Sequence, residues 1–173
     1  MKKIILFLLA LVAILLIVAA FLPKEFELKA ETTINAPQIH VWNYVKFLAN
    51  QENYSVRVMA DPQVKLTYSG TDGTIGFRQA RDSQMSNVGA GEQEIIAMQE
   101  WLSYDVEIRF VRPMQATSYA RTTLESLDAK QTKVTNIFRG TNPRPMNLVS
   151  MLFIGQVRRD MQQTMDNLKA LLE

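Results

Sequence analysis

The sequence predicts an α+β fold in which an antiparallel sheet of about seven strands is covered by a long carboxy-terminal helix. Alternating apolar and polar residues recur along the middle of the chain, which is typical of strands with one buried face. Apolar residues at helical spacing occupy residues 147–172, and a wholly apolar block lies at the amino end. That block adds a predicted transmembrane helix ahead of the folded domain.

The apolar block extends from Ile4 to Leu22 without a polar residue. As a helix it would measure about 28 Å, close to the ~30 Å hydrocarbon core of a bilayer. Lys2 and Lys3 precede the block and favour a cytoplasmic amino end, with the rest of the chain outside the cytoplasm. We therefore expect a membrane anchor over residues 1–23 and a folded domain over residues 24–173.

These segments predict a single-pass protein of the bacterial inner membrane whose carboxy-terminal domain is periplasmic. A cleaved signal peptide is the alternative, because Val18-Ala19-Ala20 supplies the small residues of a cleavage site. The block is longer than the apolar region of a usual signal peptide, and Phe21-Leu22 continue it past that site. The anchor is therefore the preferred interpretation.

Composition and charge exclude several classes of protein. The chain has 173 residues, 47% of them hydrophobic, with 19 Lys and Arg against 17 Asp and Glu. Because Lys2 and Lys3 precede the apolar block, the remaining chain is neutral and has no basic stripe, so no nucleic-acid partner is predicted. The absence of cysteine excludes thiolate catalysis and cysteine-based metal sites. No cofactor and no metal are predicted.

The folded domain begins with a predicted strand over residues 26–34, where apolar and polar residues alternate. Asn35-Ala36-Pro37 then predicts a helix start, and residues 41–48 continue at helical spacing. Residues 51–62 are mixed and predict a short helix followed by a loop. This order places helical segments between the first strand and the rest of the sheet.

The middle of the chain predicts a run of strands joined by turns. Residues 64–69 and 74–80 alternate on either side of the turn sequence Gly70-Thr71-Asp72-Gly73. The polar residues 81–90 predict a loop. Further strands are predicted over 92–98, 102–110, 118–124 and 132–139, and a helix over 147–172. The helix has the apolar stripe Ile154, Val157, Met161, Met165, Leu168 and Leu172, widened by Leu148, Met151 and Leu152.

Several short motifs occur in an order that resembles the START-like (SRPBCC) superfamily, in its polyketide cyclase/dehydrase branch. The motifs are Ile34-Asn35-Ala36-Pro37 with Val41-Trp42, Tyr68-Ser69-Gly70 with Gly73 and Gly76, Gly89 to Ile95, Arg109 to Pro113, Thr132 to Thr135, Pro143 to Asn147, and Asn167-Leu168-Lys169. The resemblance covers residues 26–173. It implies a helix-grip fold, in which a curved antiparallel sheet wraps the carboxy-terminal helix around a tunnel for an apolar ligand.

The chain also departs from this pattern. Many relatives carry tryptophan near Arg57 and near Ala80-Arg81, two places expected close to the cavity mouth, and this chain does not. The resemblance therefore implies an apolar ligand without identifying it.

The residues predicted to face the interior form the candidate ligand-binding set. They are Tyr68, Phe77, Gln93, Ile95, Tyr104, Val106, Ile108, Ser118, Thr122, Asn136, Phe138, Met151 and Met161. Aromatic residues and methionine adapt to varied apolar shapes, and a few polar groups would orient a ligand. The same residues also suit a filled core, and both interpretations stay open from the sequence.

No catalytic residue is predicted. His40 is the only histidine, and a lone histidine supplies neither a triad nor a two-histidine metal site. Glu92 and Glu94 share a strand face whose opposite face is apolar, as do Asp105 and Glu107 with Arg109. These carboxylates are therefore predicted to face solvent in ion pairs.

Three hypotheses for function follow from these observations. The first is a membrane-anchored domain that binds an apolar small molecule or lipid between the sheet and the carboxy-terminal helix, without catalysis. The second is a cyclase- or dehydratase-type enzyme that uses the same cavity, with Tyr104 and either Asn136 or Gln93 as its polar pair. The third is an envelope protein that binds another protein through its sheet or loops.

Overall fold

The computed structural model describes residues 2–173 of the chain. The helices are α1 (Lys2–Phe21), α2 (Gln38–Val45), α3 (Val56–Met59) and α4 (Met146–Leu172), and a 3-10 helix spans Leu48–Asn53. The strands are β1 (Glu25–Ile34), β2 (Lys65–Ser69), β3 (Arg78–Asp82), β4 (Ala90–Gln99), β5 (Ser103–Arg112), β6 (Ala116–Asp128) and β7 (Gln131–Thr141). The predicted α+β fold, a sheet with a long carboxy-terminal helix, is confirmed.

All seven strands form one antiparallel sheet in the order β1-β7-β6-β5-β4-β3-β2. Strands β2 to β7 pair in chain order, whereas β1 pairs with β7 at the opposite edge of the sheet from β2. Residues 35–64 must therefore cross from one sheet edge to the other. They do so beside α4, where the backbone N–H of Val56 donates to Thr164 Oγ1 at 3.2 Å.

The core lies where α2 and the end of α4 pack on the inner face of the sheet. Trp42 on α2 and Ile95 on β4 are both 0% exposed, and Leu168 on α4 is 1% exposed. The Trp42 ring lies edge-on to Tyr104 of β5, with centroids 6.5 Å apart. Such tilted aromatic contacts add to the free energy gained by burying the rings. Helix α2 is thus fixed firmly at one end of the sheet.

The first half of α4 departs from the predicted apolar stripe. Met165 is 5% exposed, whereas Met151 and Leu152 are 51% and 80% exposed. The stripe is thus buried only toward the carboxyl end of the helix, while the first turns project past the sheet and lie beside α1. Helical spacing identifies the apolar face correctly, but it does not tell how much of a helix the sheet covers.

Strand β3 also differs from its predicted position. The sequence predicts the return strand at residues 74–80 and a loop at 81–90, whereas β3 spans Arg78–Asp82. Gly73 and Gly76 have φ values of 76° and 88°, so the chain continues to turn before the strand begins. As a result Arg81 belongs to the sheet and shares a face with Gln79.

The end of helix α1 is hydrogen-bonded to residues at the start of α4. The Asn147 side chain is 2% exposed, and its Nδ2 donates to the Ala19 oxygen at 2.8 Å and to the Leu22 oxygen at 3.1 Å. The guanidinium Nε of Arg144 also donates to the Ala19 oxygen, at 3.2 Å. These bonds satisfy carbonyl groups that the last turn of a helix leaves without partners.

Apart from Lys2 and Lys3 at its start, the rest of α1 is apolar, and it is exposed. Its length and composition suit a membrane span, and a signal sequence near an amino terminus has the same properties.

Candidate ligand cavity

A cavity of about 320 Å³ lies between the sheet, α4 and the helical segment that precedes β2. This volume is within the range of small-molecule sites. The sheet contributes Arg81, Gln93, Tyr104, Val106, Ile108, Phe110, Ala120, Thr122, Val134, Asn136 and Phe138. Helix α4 contributes Val157, Asp160, Met161, Thr164, Met165 and Leu168, and the segment before β2 contributes Val45, Gln51, Tyr54, Ser55, Arg57 and Val58. The wall is mainly apolar, with polar groups in three places.

The structure brings most of the sequence-predicted set together at this wall. The members that line the cavity are Gln93, Tyr104, Val106, Ile108, Thr122, Asn136, Phe138 and Met161. They come from β4, β5, β6, β7 and α4, so the strand alternation identified the face that the cavity shares.

The other predicted residues lie elsewhere. Phe77 and Ile95 are in the filled core, at 2% and 0% exposure, and Ser118 is buried away from the cavity wall. Tyr68 is 44% exposed because β2 is the edge strand, and its ring stacks on Phe77 with centroids 6.1 Å apart. Met151 is exposed because it lies on the part of α4 that projects past the sheet.

The first polar place is a row of side chains across the middle of the sheet. Tyr104 is paired in register with Thr122, and Thr122 with Asn136. Asn136 Nδ2 donates to Thr122 Oγ1 at 2.9 Å. Burial raises the pKa of Tyr104, and burial raises the pKa of Tyr54 well above the ordinary tyrosine value. Both phenols therefore stay protonated at neutral pH and offer hydrogen bonds to a ligand instead of acting as bases.

The second polar place is a pair of glutamines on adjacent strands. Gln79 of β3 faces Gln93 of β4 in register, and the Gln93 amide donates to the Gln79 side-chain oxygen. The same amide donates to Gln51 Oε1 of the 3-10 helix at 2.7 Å. These bonds hold the helical segment against the sheet on this side of the cavity.

The third polar place is charged. Arg57 Nη2 lies 3.4 Å from Asp160 Oδ2, and Arg57 Nη1 donates to the Asn87 oxygen at 3.5 Å. Arg81 lies nearby with its Nε buried and without a hydrogen-bond partner, and its guanidinium carbon is 5.6 Å from the centre of the Phe110 ring. Burial, followed by the charge of Arg57, lowers the pKa of Arg81.

The resemblance implies that Ala80-Arg81 lies close to the cavity mouth. Because the polar residues 81–90 predict a loop, strand alternation did not place Arg81 in the cavity wall. The signal that finds it is the alternation of Phe77, Gln79 and Arg81, which continues one sheet face to the end of β3. Arg57 and Asp160 were also absent from the predicted ligand-binding set. The mixed composition of residues 51–62 gives no periodicity at Arg57, and Asp160 is a charged residue beside the apolar stripe of α4.

The carboxylates on β4 and β5 lie on the outer face of the sheet. Arg109 Nη2 is 2.7 Å from Glu92 Oε1 and 2.6 Å from Glu94 Oε2, and Arg78 Nε is 3.0 Å from Glu94 Oε2. The hydrogen bonds from Arg109 and then Arg78 hold the pKa of Glu94 below its ordinary value. These carboxylates are thus ion-paired in solvent, as predicted, and none lines the cavity.

His40 is exposed on α2, away from the cavity wall. Among the wall residues, Asp160 is the one carboxylate, and Arg57 is its partner. Chemically, the cavity offers an apolar volume, protonated phenol and amide groups in its middle, and two guanidinium groups at one side.

Several solved structures share this fold. Norcoclaurine synthase from Thalictrum flavum, in complex with dopamine and hydroxybenzaldehyde, has a TM-score of 0.63 at 11% identity, covering 86% of this chain and 86% of that chain. A hypothetical protein from Helicobacter pylori has a TM-score of 0.63 at 12% identity, covering 86% of this chain and 88% of that one. A conserved protein from Geobacillus kaustophilus has a TM-score of 0.63 at 10% identity, covering 85% and 95%.

At these identities the structural likeness concerns the fold. A search of curated proteins finds no match to this chain. By sequence, residues 25–173 match the family described as polyketide cyclase/dehydrase and lipid transport. This match spans the whole folded domain, including every strand and the helix that covers the cavity. The chain therefore belongs to the polyketide cyclase/dehydrase and lipid transport family, within the START-like superfamily that its motifs resemble.

Proposed function

We propose that the chain is a membrane-anchored binding module that holds an apolar small molecule or lipid between the sheet and α4. The observation that supports this most directly is the cavity of about 320 Å³ inside the fold, with Val106, Ile108 and Met161 in its wall. Burial of apolar ligand surface against such a wall supplies the main binding free energy.

Catalysis is not part of the proposal. Tyr104 and Tyr54 are weaker acids than ordinary tyrosine because they are buried, so neither is a base at neutral pH. The Asp160 carboxylate forms an ion pair with Arg57. A cavity with these groups orients a ligand through hydrogen bonds, which is sufficient for binding and release.

The test of ligand binding uses the full chain in lipid nanodiscs and a photoactivatable long-chain alcohol. We expect covalent adducts on the cavity walls of β5, β6 and α4, mapped by peptide mass spectrometry. Ala120→Trp places a large ring inside the cavity, and we expect it to reduce those adducts by about 10-fold or more, since ring and ligand compete for one volume. Adducts on α1 measure the concentration of the alcohol in the bilayer, and their amount should be the same in Ala120→Trp and the natural chain.

A matched control uses Ala129, which lies in the exposed turn between β6 and β7. Ala129→Trp adds the same ring outside the cavity and should leave the labelling pattern unchanged. The proposal fails if the cavity wall of the natural chain takes no label above that of exposed strands, or if Ala120→Trp leaves wall labelling intact.

The anchored position of the domain is supported by the junction between α1 and α4. Asn147→Leu removes the side-chain amide that donates to the Ala19 and Leu22 oxygens. These backbone oxygens would each lose a hydrogen bond, at a cost of about 1–3 kcal/mol in stability. We expect the domain to lose its fixed orientation relative to α1. The chain contains no cysteine, so spin labels will attach only to cysteines that are introduced, here Ala10→Cys in α1 and Gln156→Cys in α4.

Electron paramagnetic resonance in nanodiscs should show one narrow distance distribution for the natural junction and a clearly broader one for Asn147→Leu. Ser150→Ala is the control, because the Ser150 hydroxyl donates within its own helix, to the Met146 oxygen at 2.8 Å. An equally narrow distribution in Asn147→Leu would show that the junction does not hold the domain. Release of the natural chain from membranes by alkaline extraction would contradict the anchor itself.

A further inference from the structure

Arg81 is the cavity residue whose charge the fold leaves without a counter-ion. Its Nε is buried and has no hydrogen-bond partner, and the ion pairs found within residues 2–173 do not include it. A buried N–H group without an acceptor is costly, because it has lost its hydrogen bond to water and gained none in return. The arrangement is therefore unfavourable unless something else binds there.

The surroundings of Arg81 compensate only in part. The Phe110 ring lies 5.6 Å from the guanidinium carbon, which gives a cation–π contact but accepts no hydrogen bond. The positive charge of Arg57 repels that of Arg81, while Asp160 forms an ion pair with Arg57 at 3.4 Å. Two guanidinium groups against one carboxylate leave this side of the cavity with one excess positive charge.

This charged place lies at the entrance of the cavity. The side chains of Arg57 and Asp160 are 37% and 23% exposed, so water reaches this side, whereas Tyr104 and Thr122 in the middle of the sheet are 4% and 5% exposed. A molecule whose apolar body fills the cavity would therefore keep its polar end beside Arg81. The planar fork of arginine matches the oxygens of a carboxylate or a phosphate.

We propose that the ligand is an amphipathic acid, whose anionic head is bound by Arg81, assisted by Arg57, while its hydrocarbon body occupies the cavity. This proposal rests on the proposed function, since it needs a cavity that takes an apolar molecule. It adds the chemical class of the head group, which is a carboxylate or a phosphate.

The experiment compares three photoactivatable probes of one chain length in the full chain in phosphatidylcholine nanodiscs. The probes are a fatty alcohol, the corresponding fatty acid and the corresponding alkyl phosphate. Cavity labelling is titrated at pH 8 and normalised to labelling of α1, which corrects for different partition into the bilayer. We expect the anionic probes to label the cavity at about 10- to 100-fold lower concentration than the alcohol, as charge-assisted hydrogen bonds allow.

The decisive variant is Arg81→Gln, which keeps a polar side chain of similar shape without the charge. We expect it to lose most of the preference for the anions and to keep the labelling by the alcohol. Arg78→Gln is the matched control, because Arg78 is on the same strand but pairs with Glu94 on the outer face. It should leave the preference unchanged.

The outcomes separate the two proposals. Cavity labelling by the alcohol without preference for either acid overturns the anionic head group and leaves the proposed binding function standing. An anion preference that survives Arg81→Gln overturns the role of Arg81. No cavity labelling by any probe overturns the proposed function as well. A stronger preference for the alkyl phosphate or for the fatty acid supports the proposal and identifies which of the two head groups the cavity binds.

Discussion

Replacement of Trp42 by alanine is expected to lower the free energy of unfolding by about 3–5 kcal/mol. Trp42 is 0% exposed and is one of the largest fully buried side chains in the described residues. Its ring contacts both Trp101 and Tyr104, with centroid distances of 6.3 and 6.5 Å. Alanine would leave a cavity between α2 and the sheet that the surrounding strands cannot close. A domain stability of about 5–15 kcal/mol makes this a large loss.

Urea unfolding of the detergent-solubilised chain, followed by circular dichroism, measures this effect. Ile39→Ala is the matched control, since Ile39 is an apolar residue of the same helix that is 55% exposed, and it should change stability by less than about 0.5 kcal/mol. Trp42→Phe should cost less than Trp42→Ala, because it keeps a ring and removes an Nε1 donor that is buried without a partner. Equal stability of Trp42→Ala and the natural chain would contradict this packing of Trp42 between α2 and the sheet.

Gly89→Ala is expected to cost about 2–5 kcal/mol, because strain in the backbone and overpacking act together. Gly89 has a φ of 68°, which disfavours residues with a β-carbon. A β-carbon there would lie 2.3 Å from the backbone oxygen of Arg112, so the end of β5 would have to move. The loop before β4 also presents the Asn87 oxygen to Arg57, so this movement would reach the cavity entrance.

Gly76→Ala separates the two causes. Gly76 also has a positive φ, of 88°, but a β-carbon there would meet no atom within 4 Å. Its cost should be the backbone strain alone, about 1–2 kcal/mol. Thermal unfolding of both variants gives the comparison, and a cost for Gly76→Ala as large as that for Gly89→Ala would rule out the contact with Arg112 as the cause.

The sequence was most informative where one strand has two contrasting faces. Along β5, Tyr104 and Val106 alternate with Asp105 and Glu107, so a period of two identifies the inner face without any knowledge of the partner strands. This local rule predicted the sheet, the outer ion pairs, and most of the sheet residues that line the cavity.

What the sequence could not supply is how far the packed elements overlap. Tyr68 and Met151 have the periodicity of inner residues, yet one lies on the edge strand and the other beyond the end of the sheet. Arg81 was absent from the predicted ligand-binding residues for a different reason. The polar composition of residues 81–90 predicts a loop, although Arg81 continues the alternation that includes Gln79. Whether an inner face is filled or hollow depends on the distance between α4 and the sheet, which no pattern of residue types encodes.

The junction at Asn147 has a consequence for how a ligand could travel. Only residues 22–24 separate α1 from β1, and α4 is both bonded to α1 and part of the cavity wall. If α1 crosses the membrane as proposed, the domain has no tether long enough to swing away from the lipid surface. Such a protein cannot shuttle its ligand between compartments. It would bind and release the ligand at one fixed distance from the membrane. Any protein that donates or accepts the ligand would therefore have to move to this domain.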